Sequence, residues 1–225
     1  MKFNVLSLVL STAYENEQVK ADFPHNKITP DDCSIGGKCE TDFTRNARHI
    51  GTRLTAPLTD TLNSMLQVTR FKYNDRNYSN DADEELKQVT TYTTYDSGLS
   101  YTFINGIELY LKTGKQVRPA TSSELFGDKG SSKGNIELIA EESQYNEIGL
   151  SLTHSIITFD VSIYQRILSD AITPSTDSRG IISFENVAKT EHNGFELTSS
   201  FDWNDQWSSS LNFTLQDNKI INHSN

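Results

Sequence analysis

The chain has 225 residues, of which 35% are hydrophobic and 10% aromatic, and its formal net charge is −10. No stretch reaches the roughly 18 consecutive apolar residues that a membrane-spanning helix needs, so a helical membrane protein is excluded. The acidic balance, without a basic patch interleaved with aromatics, argues against nucleic acid as a partner. Abundant Ser, Thr and Asn favour an all-β protein built from half-exposed strands. The mean hydropathy of −0.53 does not exclude a β-barrel, since its strands show lipid only every second residue.

The first predicted element is a strand near the amino terminus. A lysine followed by a short apolar run and small residues imitates a secretory signal with a cleavage site. Asn4 and Ser7 interrupt that run, however, and Leu6, Leu8 and Leu10 alternate onto one face. We interpret the segment as a strand, with a signal peptide as the alternative.

The two cysteines come next, and they enclose a short Gly-rich loop. Cys33 and Cys39 lie between polar flanks, which suits a disulfide-closed loop in an oxidising compartment. A two-ligand metal site is the alternative, but no histidine lies close enough to complete a zinc set. Two reduced thiols are the remaining possibility, and no cofactor or metal is expected elsewhere.

Four pairs of alternating strands follow, and each pair is joined by a short turn. Asn105 and Gly106 form the strongest of these turn signals. Two tryptophans flank the last turn, where an aromatic girdle would meet a membrane interface. The apolar positions, pair by pair, are Ile50, Leu54 and Leu58 with Leu62, Leu66 and Val68; Leu99, Tyr101 and Phe103 with Ile107, Leu109 and Leu111; Ile148, Leu150 and Leu152 with Phe159, Val161 and Ile163; and Phe195, Leu197, Phe201 and Trp203 with Trp207, Leu211, Phe213 and Leu215.

The opposite strand ends are joined by long polar connections: the region of the cysteines and residues 74–87, 120–142 and 169–191. Short turns on one side and long loops on the other are typical of an outer-membrane barrel, whose long loops face outside. The pattern predicts an antiparallel meander of about nine strands that forms part of a large transmembrane β-barrel wall.

Residues 117–127 read VRPATSSELFG and are followed by GNIEL at 134–138 and AEES at 140–143. Further on come NVAK at 186–189, NGFEL at 193–197 and WSSSLNFTL at 207–215. In this order and spacing the motifs resemble the carboxy-terminal barrel region of TonB-dependent outer-membrane receptors, over residues 95–221. The second motif departs from the family, because Ile136 and Ala140 stand where it has prolines.

The resemblance implies the bacterial cell outer membrane, with its lipid as surroundings. It also implies uptake of a ferric siderophore or similar bulky nutrient, energised by a TonB-type protein. Such receptors close barrels of roughly 22 strands around a plug, so residues 1–225 are expected to be a partial barrel that lacks the plug domain and is inactive alone. Family members that take up haem are expected to have a histidine in the loop, and residues 120–134 contain none.

The candidate residues for contact with a ligand or the plug are Arg118 and Glu124, at the outer end of their strand, although the preferred interpretation is that Arg118 pairs with a lumen carboxylate. Arg45, Arg48 and Arg53 approach a lumen-facing strand and could attract an anionic siderophore. The acidic run at 81–85 is expected to be a solvated loop, because it lacks the glycine and distal glutamate of a calcium loop. No motif of an enzyme is found, and no catalytic residue is predicted.

Two other classes fit the pattern less well. One is a small self-contained outer-membrane barrel that acts as a passive pore or structural protein, with the first residues as its signal. The other is a secreted β-sandwich that binds glycans, whose apolar faces would pair into a dry core.

Overall fold

The computed structural model describes residues 6–23, 39–79, 84–104, 106–127, 132–178, 180–187 and 189–221. Nine long strands form one antiparallel sheet, called the wall below, in which every strand pairs with the next along the sheet. They are β1 (Ser7–Phe23), β2 (Cys39–Pro57), β3 (Leu62–Ser79), β4 (Glu84–Ile104), β5 (Ile107–Arg118), β7 (Glu141–His154), β8 (Ile157–Ser169), β11 (Lys189–Asn204) and β12 (Trp207–Ile221).

A second, small sheet lies outside the wall, with strand order β6-β10-β9. Its strands are β6 (Ser132–Lys133), β9 (Ile172–Thr176) and β10 (Ile182–Asn186), and the short helix α1 (Ser122–Phe126) precedes it. None of the helices in the described ranges is long and apolar enough to cross a membrane.

The alternation in the sequence becomes rows of side chains that run across the wall. One row is apolar across six strands and consists of Leu99, Leu111, Ile148, Ile163, Phe195 and Leu215. The adjacent row points to the other face and is polar, with Ser100, Tyr110, Gly149, Ser162, Glu196 and Thr214. Successive residues of a strand point to opposite faces, so the wall has an apolar outer face and a polar inner face.

The outer face is left bare by the described chain. Ile163 and Leu215 are 57% and 59% exposed, and Trp203 and Trp207 at the last turn are 63% and 70% exposed. This arrangement fits a wall that stands in lipid. It contradicts the glycan-binding sandwich, which needs its apolar faces packed together.

The short turns lie together at one end of the wall and are bonded to each other. The amide of Thr153 donates to the carbonyl of Gly106 at 2.7 Å, and that of Asp202 donates to Ile156 at 2.8 Å. Gly106 has φ +90°, and a Cβ there would lie 2.2 Å from the Thr153 carbonyl oxygen. The predicted Asn-Gly turn is therefore confirmed at its glycine. The neighbouring hairpin also requires glycine here, because a side chain at this position would collide with Thr153.

Two of the predicted long connections, residues 120–142 and 169–191, are confirmed as connections between wall strands, and they contain secondary structure of their own. Residues 120–142 contain α1 and β6, and residues 169–191 contain β9 and β10. They share a small apolar core of Ala120, Leu125, Leu138 and Ile172, against which Phe126 and Phe184 pack. We call the described parts of this unit, residues 119–127, 132–140, 171–178 and 180–187, the folded connection.

Only the predicted connection at residues 74–87 is wrong in extent. β3 continues to Ser79 and β4 begins at Glu84, so most of this polar stretch is paired strand. The predicted first strand is confirmed as part of β1. The predicted disulfide lies outside the described residues, since Cys33 and the side chain of Cys39 are not among them, and the side chains of the acidic run at 81–85 are not described either.

Candidate functional site: the inner face of the wall

A polar recess of about 610 Å³ opens on the inner face, towards the end of the wall that carries the long connections. It crosses β5, β7, β8, β11 and β12, whose alternate residues all point inward there. Charges of both signs line it, together with tyrosines and amides: Gln116, Arg118, Tyr145, Glu147, Tyr164, Arg166, His192, Glu196 and Gln216. A recess of this composition can hold a polar, charged ligand or a polar protein surface.

Arg118 forms one border of the recess and joins the wall to the folded connection. Its Nε donates to Glu141 Oε2 at 2.5 Å, and its Nη1 donates to Glu124 Oε2 at 3.1 Å. The remaining oxygen of Glu141 accepts from the amide of Ile172 at 2.8 Å. The two candidate ligand residues, Arg118 and Glu124, thus contact each other.

Glu124 also caps the helix that carries it. Thr121 is the N-cap of α1, and its amide donates to Glu124 Oε2 at 2.7 Å while its hydroxyl accepts from the Glu124 amide. This reciprocal capping box fixes the first turn of a five-residue helix. Burial works to raise the pKa of Glu124, but the hydrogen bonds from Arg118 and Thr121 outweigh it, so the pKa lies below its usual value.

Arg45 holds the folded connection from the opposite side. Its Nε and Nη2 donate to the two oxygens of Asp75 at 2.7 and 2.8 Å, and Nη2 also donates to the carbonyl of Ala120 at 2.7 Å. The guanidinium lies 5.6 Å from the Phe43 ring centre and 5.3 Å from that of Tyr73. The side chains of Arg45 and Asp75 are only 12% and 3% exposed. The guanidinium of Arg45 is therefore engaged within the protein and is not presented to a ligand.

The three predicted arginines do not form one group. Arg53 points inward, and its Nε donates to Gln67 Oε1 at 2.8 Å. Arg48 is three residues from Arg45 and five from Arg53, and an odd separation in a strand means the opposite face. The prediction that Arg48 faces the lumen is therefore wrong, because its side chain lies on the outer face, exposed, over the ring of Tyr14 at 5.7 Å.

Three tyrosines cross the inner face over glycines, an arrangement that the sequence analysis missed. Each glycine lies directly opposite a tyrosine on the next strand: Gly149 opposite Tyr110, Gly114 opposite Tyr145, and Gly194 opposite Tyr164. Each hydroxyl reaches the strand beyond and donates there, to Asp160 at 2.9 Å, Asp96 at 2.7 Å and Gln216 at 3.2 Å. Every tyrosine thus ties three strands together, and only the strand register reveals the pairs.

The described histidines are dispersed. His49 packs on the ring of Phe71 with centres 5.4 Å apart, and His192 hydrogen-bonds Thr190 and Asn218. His154 ends β7 at a short turn. Among the described residues, no three His, Cys, Asp or Glu side chains come together in a way that could hold a metal ion.

With this geometry in place, comparison with known proteins identifies the class. The family model described as "TonB dependent receptor-like, beta-barrel" matches residues 21–224, so the chain belongs to this family. The sequence-based resemblance is confirmed. Members of the family are outer-membrane receptors and transporters rather than enzymes.

The fold is similar to that of several solved receptors. The copper transporter OprC has a TM-score of 0.75 at 14% identity, over 97% of this chain and 36% of that one. The ferric-catecholate import receptor Fiu from E. coli K12 has a TM-score of 0.70 at 12% identity, over 98% and 36%. The ferric yersiniabactin uptake receptor FyuA from Yersinia pestis has a TM-score of 0.68 at 14% identity, over 97% and 33%. The chain spans about a third of the length of these proteins.

Proposed function

We propose that the chain is a segment of the barrel wall of an outer-membrane receptor that takes up a ferric siderophore or a similar bulky nutrient. The observation that carries the proposal is the family match over residues 21–224, together with a charged inner recess beside a folded connection. Among the similar structures, the named cargoes of OprC, Fiu and FyuA are copper, ferric catecholate and ferric yersiniabactin. A metal or metal chelate is the chemistry that they share.

Within this proposal, the inner face has two tasks. Arg45 and Arg118 fix the folded connection to the wall, because both are engaged with carboxylates and with that connection. Arg166 is exposed in the recess and has no carboxylate partner among the described residues. Arg166 is then the cation that meets an anionic chelate, and Arg118 and Glu124 hold the loop in place rather than the ligand.

Energy in this proposal comes from a TonB-type protein that acts through a plug in the complete receptor. The nine-stranded wall leaves one edge of β1 and one edge of β12 without a partner strand in the described residues. Lipid does not tolerate unpaired backbone groups, so a wall of this size alone is expected to be inactive. The open order of strands also weighs against the small self-contained barrel.

Uptake measurements test the proposal directly. The gene is deleted in its host, and uptake of ⁵⁵Fe is measured with catecholate, hydroxamate and citrate chelates, alongside ⁶⁴Cu. We expect one iron chelate to lose its uptake both in this strain and in a strain that lacks the TonB protein. Unchanged uptake of every chelate, or uptake that does not require TonB, would contradict the proposal, and loss of copper uptake alone would replace iron as the cargo.

A point variant tests the role of the recess in the same assay. We expect Arg166→Gln to raise the half-saturating chelate concentration about tenfold, as loss of one charged hydrogen bond implies. Lys112→Gln is the matched control, since Lys112 also points inward but already pairs with Glu147 at 3.3 Å. Equal effects of the two variants would remove Arg166 from the ligand site.

A further inference from the structure

Three cations cluster on the outer face of β2 and β3. Arg48 lies directly opposite Lys72, and Arg70 lies directly opposite Ile50, two residues along from Arg48. All three side chains are exposed. They point away from the lumen, because Arg45, Phe71 and Asp75 on the same strands have the opposite parity and make the inner-face contacts.

The cluster differs from three other cations of the outer face, which are paired with carboxylates. Lys20 pairs with Asp42 at 3.0 Å, Lys115 with Glu142 at 2.6 Å and Lys219 with Asp217 at 3.4 Å. Within the described ranges, Arg48, Arg70 and Lys72 have no carboxylate at ion-pair distance. The outer-face positions beside them are neutral and consist of Tyr14, Asn46, Thr91 and Thr93.

Such a cluster has an electrostatic cost. Like charges directly opposite each other on neighbouring strands destabilise the pair, and Arg48 and Lys72 are in this position. An anion between them removes the repulsion and gains attraction from all three cations. The chain as a whole carries −10, so this patch is a local exception rather than part of a general affinity for anions.

Apolar residues border the cluster on the side of the short turns. Leu10 is 72% exposed, Ile50 66%, Leu66 46% and Val68 40%. Val68 and Arg70 share the outer face two positions apart, roughly 7 Å along the strand. The outer face thus changes from apolar to cationic between two successive outward-pointing residues of β3. A lipid changes in the same way from its acyl chains to its headgroup.

We propose that Arg48, Arg70 and Lys72 bind the phosphate headgroup of an anionic membrane lipid, whose acyl chains lie on Leu10, Ile50 and Val68. The lipid belongs to the leaflet on the side of the long connections. The occupant is a lipid rather than free phosphate, because the cations adjoin exposed apolar side chains. The inference rests on the proposed placement of the wall in a bilayer, and it adds a lipid site that is separate from the inner-face recess.

Lipid preference in defined bilayers tests the site. The gene product is extracted from outer membranes and placed in phosphatidylcholine nanodiscs with 10 mol% phosphatidic acid or 10 mol% diacylglycerol, and retained lipid is counted by native mass spectrometry. We expect phosphatidic acid to be retained about tenfold over phosphatidylcholine, since basic residues near a membrane attract anionic lipid. Diacylglycerol, which lacks the phosphate, should show no preference.

Matched variants assign the preference to these side chains. The variant R48Q/R70Q/K72Q should lose it, whereas K20Q/K115Q/K219Q, with the same change of charge on the same face, should keep it. The charge-conserving variant R48K/R70K should also keep it. Single substitutions provide a second series in which folding is preserved because the side chains are exposed, and each should lower the preference about twofold.

The outcomes separate the two proposals. A gene product that is absent from the outer membrane overturns both the receptor wall and the lipid site. A product that resides there without preference for phosphatidic acid, or whose preference is lost equally in the control triple variant, overturns only the lipid site. Loss of the preference in 5 mM inorganic phosphate would mean that the cluster recognises the free anion, which also overturns it.

Discussion

The two faces of β2 use similar residues for different purposes. On the inner face, Arg45 is 12% exposed, bonded to Asp75 and to the carbonyl of Ala120. On the outer face, Arg48 is exposed and lies over a tyrosine ring without a carboxylate among the described residues. The strands are the same, so the difference comes from which face each residue occupies and from what covers that face. The inner face around Arg45 is covered by the folded connection, whereas the outer face around Arg48 is bare.

The largest expected effect comes from breaking the buried pair of the inner face. Asp75→Asn leaves the guanidinium of Arg45 buried without its counter-charge, which should lower the free energy of unfolding by about 3–5 kcal/mol. Urea unfolding in detergent, followed by tryptophan fluorescence, measures it. Asp217→Asn on the outer face is the control, because its pair with Lys219 is about two-thirds exposed on both sides and should give no measurable change. Similar losses in both variants would contradict the contrast between the faces.

The next effect concerns the tyrosines that cross glycines. A Cβ at Gly149 would lie 2.3 Å from the end of the Tyr110 ring, so Gly149→Ala should displace the ring and break its bond to Asp160. We expect a loss of about 1–3 kcal/mol in the same unfolding assay.

Gly98 provides the control for this prediction, because it also points inward from a central strand. A Cβ at Gly98 meets its nearest atom at 3.6 Å, which is ordinary contact. Gly98→Ala should therefore change the stability by less than about 0.5 kcal/mol. If Gly149→Ala also changes the free energy of unfolding by less than about 0.5 kcal/mol, the contacts of the tyrosines across the glycines do not stabilise the wall.

The smallest effect is a pH dependence at the folded connection. The pKa of Glu124 is lower in the folded protein than its usual value of 4.5. Its stabilising contribution is therefore fully present above pH 4.5 and is lost as the pH falls through the folded pKa. Because Arg118 is 43% exposed, the contribution should stay below about 1 kcal/mol.

Hydrogen exchange of residues 119–127 between pH 6 and pH 3.5, corrected for the intrinsic rate, measures this effect. Protection should fall at the acidic end, and Glu124→Gln should show low protection throughout. The neighbouring carboxyl of Glu141 also faces Arg118, so the variant is needed to assign the change. A pH profile that is the same with and without Glu124 would show that another group controls the connection.

The alternation of apolar residues was sufficient to predict the wall. The pairs around residues 105, 155 and 205 are hairpins whose apolar residues share the outer face. The extent of β3 and β4 was missed because their ends are mostly polar on both faces, and the isolated Leu86 and Val89 point to opposite faces, so no apolar alternation marks these ends. Such polar strand ends are expected where the strands of a barrel wall extend beyond the apolar band that faces lipid.

The contacts of the inner face could not be predicted in the same way. Arg45 meets Ala120 across 75 residues, and each tyrosine meets its glycine only through the register of two strands. The apolar core of the folded connection depends on four separate residues within a mostly polar stretch. The position of Arg48 was available from the sequence, because an odd separation from Arg45 already places the two on opposite faces.

In an outer-membrane barrel, one face of the wall should stand in lipid and the other should face water. Spin labels placed one at a time at residues 157–163 of β8, in a background without cysteines, test this expectation through their accessibility to oxygen and to a water-soluble nickel complex. We expect a period of two, with oxygen favoured at Ile157, Phe159, Val161 and Ile163 and nickel favoured at the residues between them. Low accessibility to both reagents at the apolar positions would mean a dry protein core, and it would contradict the barrel wall.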